Sequence, residues 1–201
     1  MHGSSLHKMR LFRQQFLADK AGKPLNILDL GSLEVGACYR PLFDDAAWRY
    51  TGVDLHSGPN VDIVLKEPYR WREIPSESVD LFISGQVFEH VEYFWVTLLE
   101  MSRVLKPGGL VCIIVPSAGP EHRYPVDCWR FYPDGVRAMA KYAGMEVLKA
   151  ETHWGGDDPT DDSMVWQDTT LVCRKPVLES WPAFKRKIRQ AMQHRALSWS
   201  L

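Results

Sequence analysis

The chain has 201 residues, 45% hydrophobic and 24% charged, with a formal net charge of −1, which suits one soluble domain with a single sizeable core. No apolar run is long enough to span a bilayer, and the opening "MHGSSLHKMRLFRQQF" lacks the apolar stretch of a secretory signal. Cys38, Cys112, Cys128 and Cys173 stand without C-x-x-C spacing, which argues against a zinc knuckle or a disulfide framework and fits a reducing, cytoplasmic setting.

Charge is unevenly placed. Residues 1–24 carry five Lys/Arg against one Asp, residues 177–201 carry five against one Glu, and the middle therefore holds −9. An acidic body gives little support for nucleic acid as a partner. The first 24 residues read as an N-terminal helical extension. The domain proper then runs over 25–176, opening with the strand-like "LNILDLG" and "RYTGVDL", two short apolar runs that end in Asp and are punctuated by Gly. "VDIVL", "SVDLFISG" and "LVCIIVPS" repeat the pattern. Val91, Phe94, Leu98, Met101 and Leu105 fall at helical spacing, and Lys106-Pro107-Gly108-Gly109 predicts the stop. A second helix follows, with Pro133 as its first residue and Gly144 as its terminator. "MEVLKAETHW" and "DTTLVCRKP" have no helix between them and predict a hairpin at one sheet edge, joined by the Asp-rich "GGDDPTDDSMV" as a solvated loop or a lid. The spacing of those aspartates does not match a calcium-binding EF-hand loop. Strands alternating with helices predict a single-domain doubly wound α/β fold with a mostly parallel sheet. Residues 177–201 predict a basic amphipathic helix with Phe184, Ile188, Ala191 and Met192 on one face. Docking of that face on its own domain is expected, with peripheral membrane contact as the other use.

In such sheets ligands bind beyond the carboxyl ends of the strands. The first glycine turn, "DLGSLEVG", has Gly31 and Gly36 but no middle glycine to admit a pyrophosphate. That counts against a nicotinamide-dependent oxidoreductase. Asp29 beside the turn disfavours a phosphate and suits an ammonium group. Asp54, about 20 residues on, is placed to hold a ribose diol. The ligand so described is a nucleoside with a positive head and no pyrophosphate, which fits S-adenosylmethionine.

"ILDLGSLEVG", "YTGVDL", "SVDLFISGQVFEHV" and "EMSRVLKPGGLVCIIVPS" in this order resemble the motifs of class I S-adenosylmethionine-dependent methyltransferases, type 11 group, over residues 25–150. The resemblance implies a Rossmann-like seven-stranded sheet with an antiparallel edge. It also implies that Asp29, Gly31, Ser32 and Gly36 line the methionine end of the cofactor, that Asp54 holds the ribose with Leu55 against the adenine, and that Ser84, Gly85 and Gln86 face the sulfonium. Glu67 is the nearest match to the acid that family members place by the adenine amino group.

The acceptor side is expected in "PSAGPEHRYPVDCWRFYPDG", which follows the fifth strand. Stretches ending in W-R-F-x-P-x-G resemble those of glycan-associated methyltransferases, and aromatics beside Asp and Arg suit a sugar. Tyr124, Trp129 and Arg130 are the candidate acceptor contacts. The plainer reading puts Trp129 and Phe131 in the core and pairs Arg130 with Asp127. His122 and His90 are candidate bases, with Asp127 as an orienting group or alternative base. "QVFEH" also resembles the E-x-x-E-H stretch of magnesium-dependent small-RNA 2′-O-methyltransferases and ubiquinone-pathway O-methyltransferases. Glu89, His90 and His122 match three positions, while Gln86 replaces the first acid, and capping of the following helix by Glu89 and His90 is the alternative. Whether a metal binds stays open at this level, as does the oligomeric state. The activity expected is methyl transfer to oxygen of a sugar-containing or other small hydroxylated acceptor; the rival is a non-catalytic module or partner subunit that only binds the cofactor.

Overall fold

The computed structural model describes residues 3–154, 163–177, 188 and 191–192. Helix α1 (Gly3–Phe16) precedes strands β1 (Leu25–Leu30), β2 (Trp48–Asp54), β3 (Ile63–Val64) and β4 (Val79–Gly85). Then come α2 (Phe94–Val104), β5 (Leu105–Val115), α3 (Pro133–Tyr142), β6 (Glu146–Thr152), the single turn α4 (Ser163–Trp166) and β7 (Thr169–Arg174). The seven strands form one sheet in the order β3-β2-β1-β4-β5-β7-β6. β1 to β5 pair in parallel, whereas β7 lies antiparallel to both β5 and β6. The predicted edge hairpin is present, with its second strand inserted next to β5, but its connection is not helix-free as expected: the single turn α4 lies between β6 and β7. That reversal carries the first residues of β7 to the carboxyl edge of the parallel strands, where Val115 pairs with Thr169.

The expected alternation of strands and helices holds only from β4 onward. β1 is joined to β2 through a 3₁₀ turn at Arg40–Phe43, and no α-helix lies between β2 and β4. Side chains from irregular backbone cover the sheet there instead. On one face Tyr39, Phe43 and Trp48 pack with Met9 and Phe12 of α1 against Ile27, Leu81, Ile83 and Ile114. On the other, Trp71 stacks on Phe82 at 6.1 Å beside Leu98 and Met101 of α2.

The segment that presents Trp71 is held by an ion pair between buried Glu100 and partly exposed Arg103. Glu100 accepts from Trp71 N (2.7 Å) and from Arg103 Nε and Nη2 (both 2.8 Å), and Arg103 also donates to the carbonyls of Trp71 and Ile74. Removing Glu100 leaves the buried Trp71 amide without its acceptor and Arg103, still partly solvated, without its acid. Glu100→Ala is therefore expected to cost about 2 kcal/mol, read as a lowered urea midpoint.

The Lys106–Gly109 stretch does not end a helix as a loop. α2 stops at Val104 and these residues lie within β5, where the register jumps from Val79↔Leu105 to Leu81↔Leu110. A bulge absorbs the glycines. Residues 155–162 of the Asp-rich loop and most of the C-terminal segment lie outside the described residues, whereas the last three residues of that loop, 163–165, belong to α4. Ile188, Ala191 and Met192 are helical, and Ile188 and Met192 are exposed. No helix among the described residues is long and apolar enough to cross a membrane.

Candidate active site

The carboxyl ends of β1, β2, β4 and β5 bring the predicted residues to one edge. Gly31 turns the chain at φ +77°, and a Cβ there would lie 2.1 Å from Val87 Cγ2. Gly36 also has positive φ (+87°) but faces open space. Gly31 N and Ser32 N both donate to Val53 O, and buried Ser32 is tied to Asn60 in both directions, through Ser32 Oγ to Asn60 O and Asn60 Nδ2 to Ser32 O. Asp54 accepts from Leu33 N (3.2 Å) and His56 N (3.0 Å), so its carboxylate organises both glycine-loop and post-β2 backbone. Leu55 is exposed.

Asp29 is 2% exposed and accepts a hydrogen bond from the Tyr50 hydroxyl. Arg40 lies over the Tyr50 ring (4.5 Å) and donates to Asn60 and Asp62. Burial pushes the Asp29 carboxyl up to about 7, against the lowering pull of Tyr50 and Arg40. Tyr50, Arg40, Asn60 and Asp62 were not singled out from the sequence, since nothing in local pattern links four residues that meet only when β2 lies beside β1.

At the end of β4, Ser84 is fully buried and donates to Leu30 O, so its hydroxyl joins β4 to β1. Gly85 lies against the hydroxyl of buried Tyr39; a Cβ would come within 1.8 Å of it. Tyr39 in turn shares a hydrogen bond with Ser5 of α1 (2.6 Å). Gln86 donates to Asp168 Oδ1 (3.0 Å), which also takes Ser4 Oγ (2.8 Å) and lies 3.6 Å from Lys8 Nζ on its other oxygen. Asp168 is a further residue the sequence reading passed over. Its only local signal is an acid at the mouth of an apolar strand, and its importance comes from the strand reversal. Glu67 is exposed and paired with Arg72 at 3.4 Å, its carboxylate turned to a cation of its own segment.

The loop after β5 is fastened back onto the turn after β4. Cys128 N and Trp129 N both donate to Glu89 O, and Trp129 Nε1 donates to Val91 O. The clamp brings His122 against His90, ring centroids 4.9 Å apart, with Trp166 covering His122 at 4.5 Å. His90 Nδ1 donates to Val126 O (2.6 Å), which leaves Nε2 with its lone pair facing Glu89 Oε1 at 3.7 Å. His122 Nδ1 lies 3.3 Å from Asp127 Oδ2. Glu89 is fully buried, and neither carboxylate oxygen accepts a hydrogen bond from another residue. Burial pushes the Glu89 carboxyl up to about 8 and holds the His90 imidazole below its ordinary value.

Two sequence expectations change here. Asp127 takes both Arg130 Nη1 (2.6 Å) and Nη2 (2.8 Å) and also the His122 backbone N–H. The Arg130 hydrogen bonds hold its carboxyl far below the usual carboxylate range, so Asp127 orients and does not accept protons near neutral pH. Arg130 itself is spent on Asp127, Trp129 O and Pro120 O, which leaves little of its fork for an acceptor. Phe131 is core. Trp129 (37% exposed) and Tyr124 (62%) are exposed on the same loop, with Trp129 packed edge-on against Phe94 and Trp95.

The methyltransferase-domain family model matches residues 28–113. An uncharacterized methyltransferase of Mycobacterium leprae is 30% identical over 165 residues, covering 73% of this chain; the chain spans 58% of that relative's length. The Burkholderia thailandensis 1,6-didemethyltoxoflavin-N1-methyltransferase, solved with S-adenosylhomocysteine, superposes with a TM-score of 0.65 at 16% identity over 87% of this chain and 79% of its own. The [4+2]-cyclase SpnF superposes with a TM-score of 0.62 at 17% identity over 86% and 81%, so likeness at this level speaks for fold alone. The chain has the Rossmann-like fold of the S-adenosylmethionine-dependent methyltransferases, and residues 28–113 match the methyltransferase-domain family.

Proposed function

We propose that the protein binds S-adenosylmethionine along the glycine turn and transfers its methyl group to an oxygen of a small hydroxylated, sugar-containing acceptor. The observation that carries the reading is the convergence of Glu89, His90, His122 and Asp127 on the same edge as the Gly31 loop, with Val87 in between. In this assignment Asp29, Ser32 and the backbone of the turn hold the methionine end, Asp54 and Leu55 the nucleoside, and Gly85 and Gln86 border the sulfonium. Bound there, the cofactor supplies an electrophilic methyl group. The chain's own residues align the acceptor oxygen with it and remove the proton. His122, held by Asp127 from behind, and His90, held by Val126 O, form the place where that proton leaves. Trp129 and Tyr124 offer aromatic faces to the apolar side of a sugar ring, beside polar groups for its hydroxyls.

The test is an acceptor screen with labelled cofactor, repeated with His122→Asn. Turnover is expected to fall by about 100-fold or more while affinity for S-adenosylhomocysteine stays the same. Unchanged turnover on an identified acceptor would remove His122 from the chemistry. Absence of any transfer, with the cofactor bound, would favour a module that only binds it.

A further inference from the structure

We infer that Glu89, His90 and His122 form a binding site for one first-row divalent cation of the zinc type. One donor atom from each residue lies within 4.8 Å of the others. Drawing three donors to about 2.1 Å from a tetrahedral ion would bring them about 3.4 Å apart, a contraction that torsions about the carboxylate and the rings supply.

The arrangement of these side chains asks for a cation. Glu89 is fully buried with neither oxygen hydrogen-bonded to another residue, so its ionised form has no partner of its own and a cation would supply one. The nearby cations are committed elsewhere: Arg130 grips Asp127 and Lys8 lies by Asp168. Because Val126 O can only accept, His90 carries its proton on Nδ1 and aims a lone pair from Nε2 at Glu89 Oε1, 3.7 Å away. Between two such atoms either a proton or a metal ion must sit, and a metal ion would take the proton's place and meet both lone pairs at once. The supports behind the rings are those that fix metal-ligating histidines, a backbone carbonyl for His90 and a carboxylate 3.3 Å from His122. Exposure is graded across the cluster, from Glu89 at 0% through the His90 side chain at 14% to that of His122 at 30%, which leaves one side of the site open.

The donor set also selects the ion. Gln86 is turned to Asp168 and supplies no ligand, so two imidazoles and one carboxylate remain. That set suits zinc, cobalt or iron(II) over magnesium, which prefers an all-oxygen shell. Resting on the methyltransferase reading above, the open position is where the acceptor hydroxyl binds. Its ionisation there releases a proton to solvent and leaves the oxygen as the nucleophile. With the ion bound, the two histidines serve as its ligands, and this replaces the proton-accepting role that the metal-free reading above gives them.

Full-length protein stripped with a chelator and returned to chelator-free buffer is titrated with Co²⁺ and followed by ligand-field absorption. The expected result is close to one equivalent bound, displaced by Zn²⁺ and not by excess Mg²⁺. Glu89→Gln and His90→Asn should each weaken binding about 100-fold, and Asp127→Asn about 10-fold or more. Glu89→Gln replaces a buried carboxyl whose oxygens have no hydrogen-bond partner by an amide of the same shape, so its metal-free fold is expected to be about as stable as the parent. Absence of uptake, uptake that is unchanged in both ligand variants, or binding of Mg²⁺ in preference to Co²⁺ would overturn the site. A parallel titration with S-adenosylhomocysteine separates the two readings. Cobalt uptake without it keeps the cation site and removes the methyltransferase; the reverse keeps the methyltransferase and removes the cation.

Discussion

Gly31→Ala is expected to weaken S-adenosylhomocysteine binding more than tenfold and to lower stability by about 3 kcal/mol. Two costs add at this position. The residue sits at φ +77°, where a side chain costs roughly 1–2 kcal/mol. Its new Cβ would also lie 2.1 Å from Val87 Cγ2, and a β-branched neighbour has little rotamer freedom with which to yield. Val87 packs against the core cluster and stands two residues before Glu89, so a push at the glycine turn is expected to reach the segment that carries Glu89 and His90. Gly36→Ala provides the internal control. Its φ is +87° but nothing lies within 4 Å of the added carbon, so only the backbone cost applies, about 1 kcal/mol. Urea unfolding and calorimetry on the two variants measure the difference; equal effects would show that the coupling through Val87 is absent.

The second large effect concerns pH. Burial raises the Asp29 carboxyl from 3.8 to about 7. A carboxyl whose folded value is raised stabilises the fold most below its unfolded value, and that stability is lost as pH climbs from about 4 to about 7. Over this interval the loss is roughly 4 kcal/mol. Tyr50, Arg40 and Asp54 are the titratable or charged groups that act on it. Asp29→Asn, which cannot ionise, should therefore make the ligand-free protein more stable than the parent at pH 8, by about 3 kcal/mol, and flatten the pH dependence. If Asp29 meets the ammonium of the cofactor, binding favours the ionised carboxylate. Affinity should then fall as pH drops below 7, by up to about tenfold per pH unit, and proton release should accompany binding there. The same Asn variant should bind more weakly above pH 7 and lose that dependence. A variant both more stable and less able to bind marks a residue kept for its ligand. Equal stability of the two proteins at pH 8 would show that burial does not penalise the ionised Asp29 carboxylate.

Much of the frame is legible in the chain because its signals are local. The apolar runs ending in Asp29, Asp54 and Gly85, and the hairpin signalled by two strands without an intervening helix, need only neighbouring residues to be read. What escapes is long-range. The reversal of β7 brings Asp168 beside Gln86, and the polar underside of α1 ties Ser4 and Ser5 to Asp168 and Tyr39, 164 and 34 residues away. The missing helices between β1 and β4 are replaced by single anchors such as the Glu100–Arg103 pair, which leaves no periodic pattern. Lys106–Gly109 shows the ambiguity of a glycine pair, equally good as a helix stop and as a bulge. Residue types single out the histidines and Asp127 as candidates, and only the fold shows that the three lie together. Arg130 is three residues from Asp127, and only the bidentate contact tells that it serves Asp127 and not an acceptor.

The measurement that reaches the central claim most directly is calorimetric titration of the purified protein with S-adenosylhomocysteine, with NAD in parallel. The account predicts saturable binding of the first near one per chain and none of the second. Binding of NAD alone, or of neither, would contradict it.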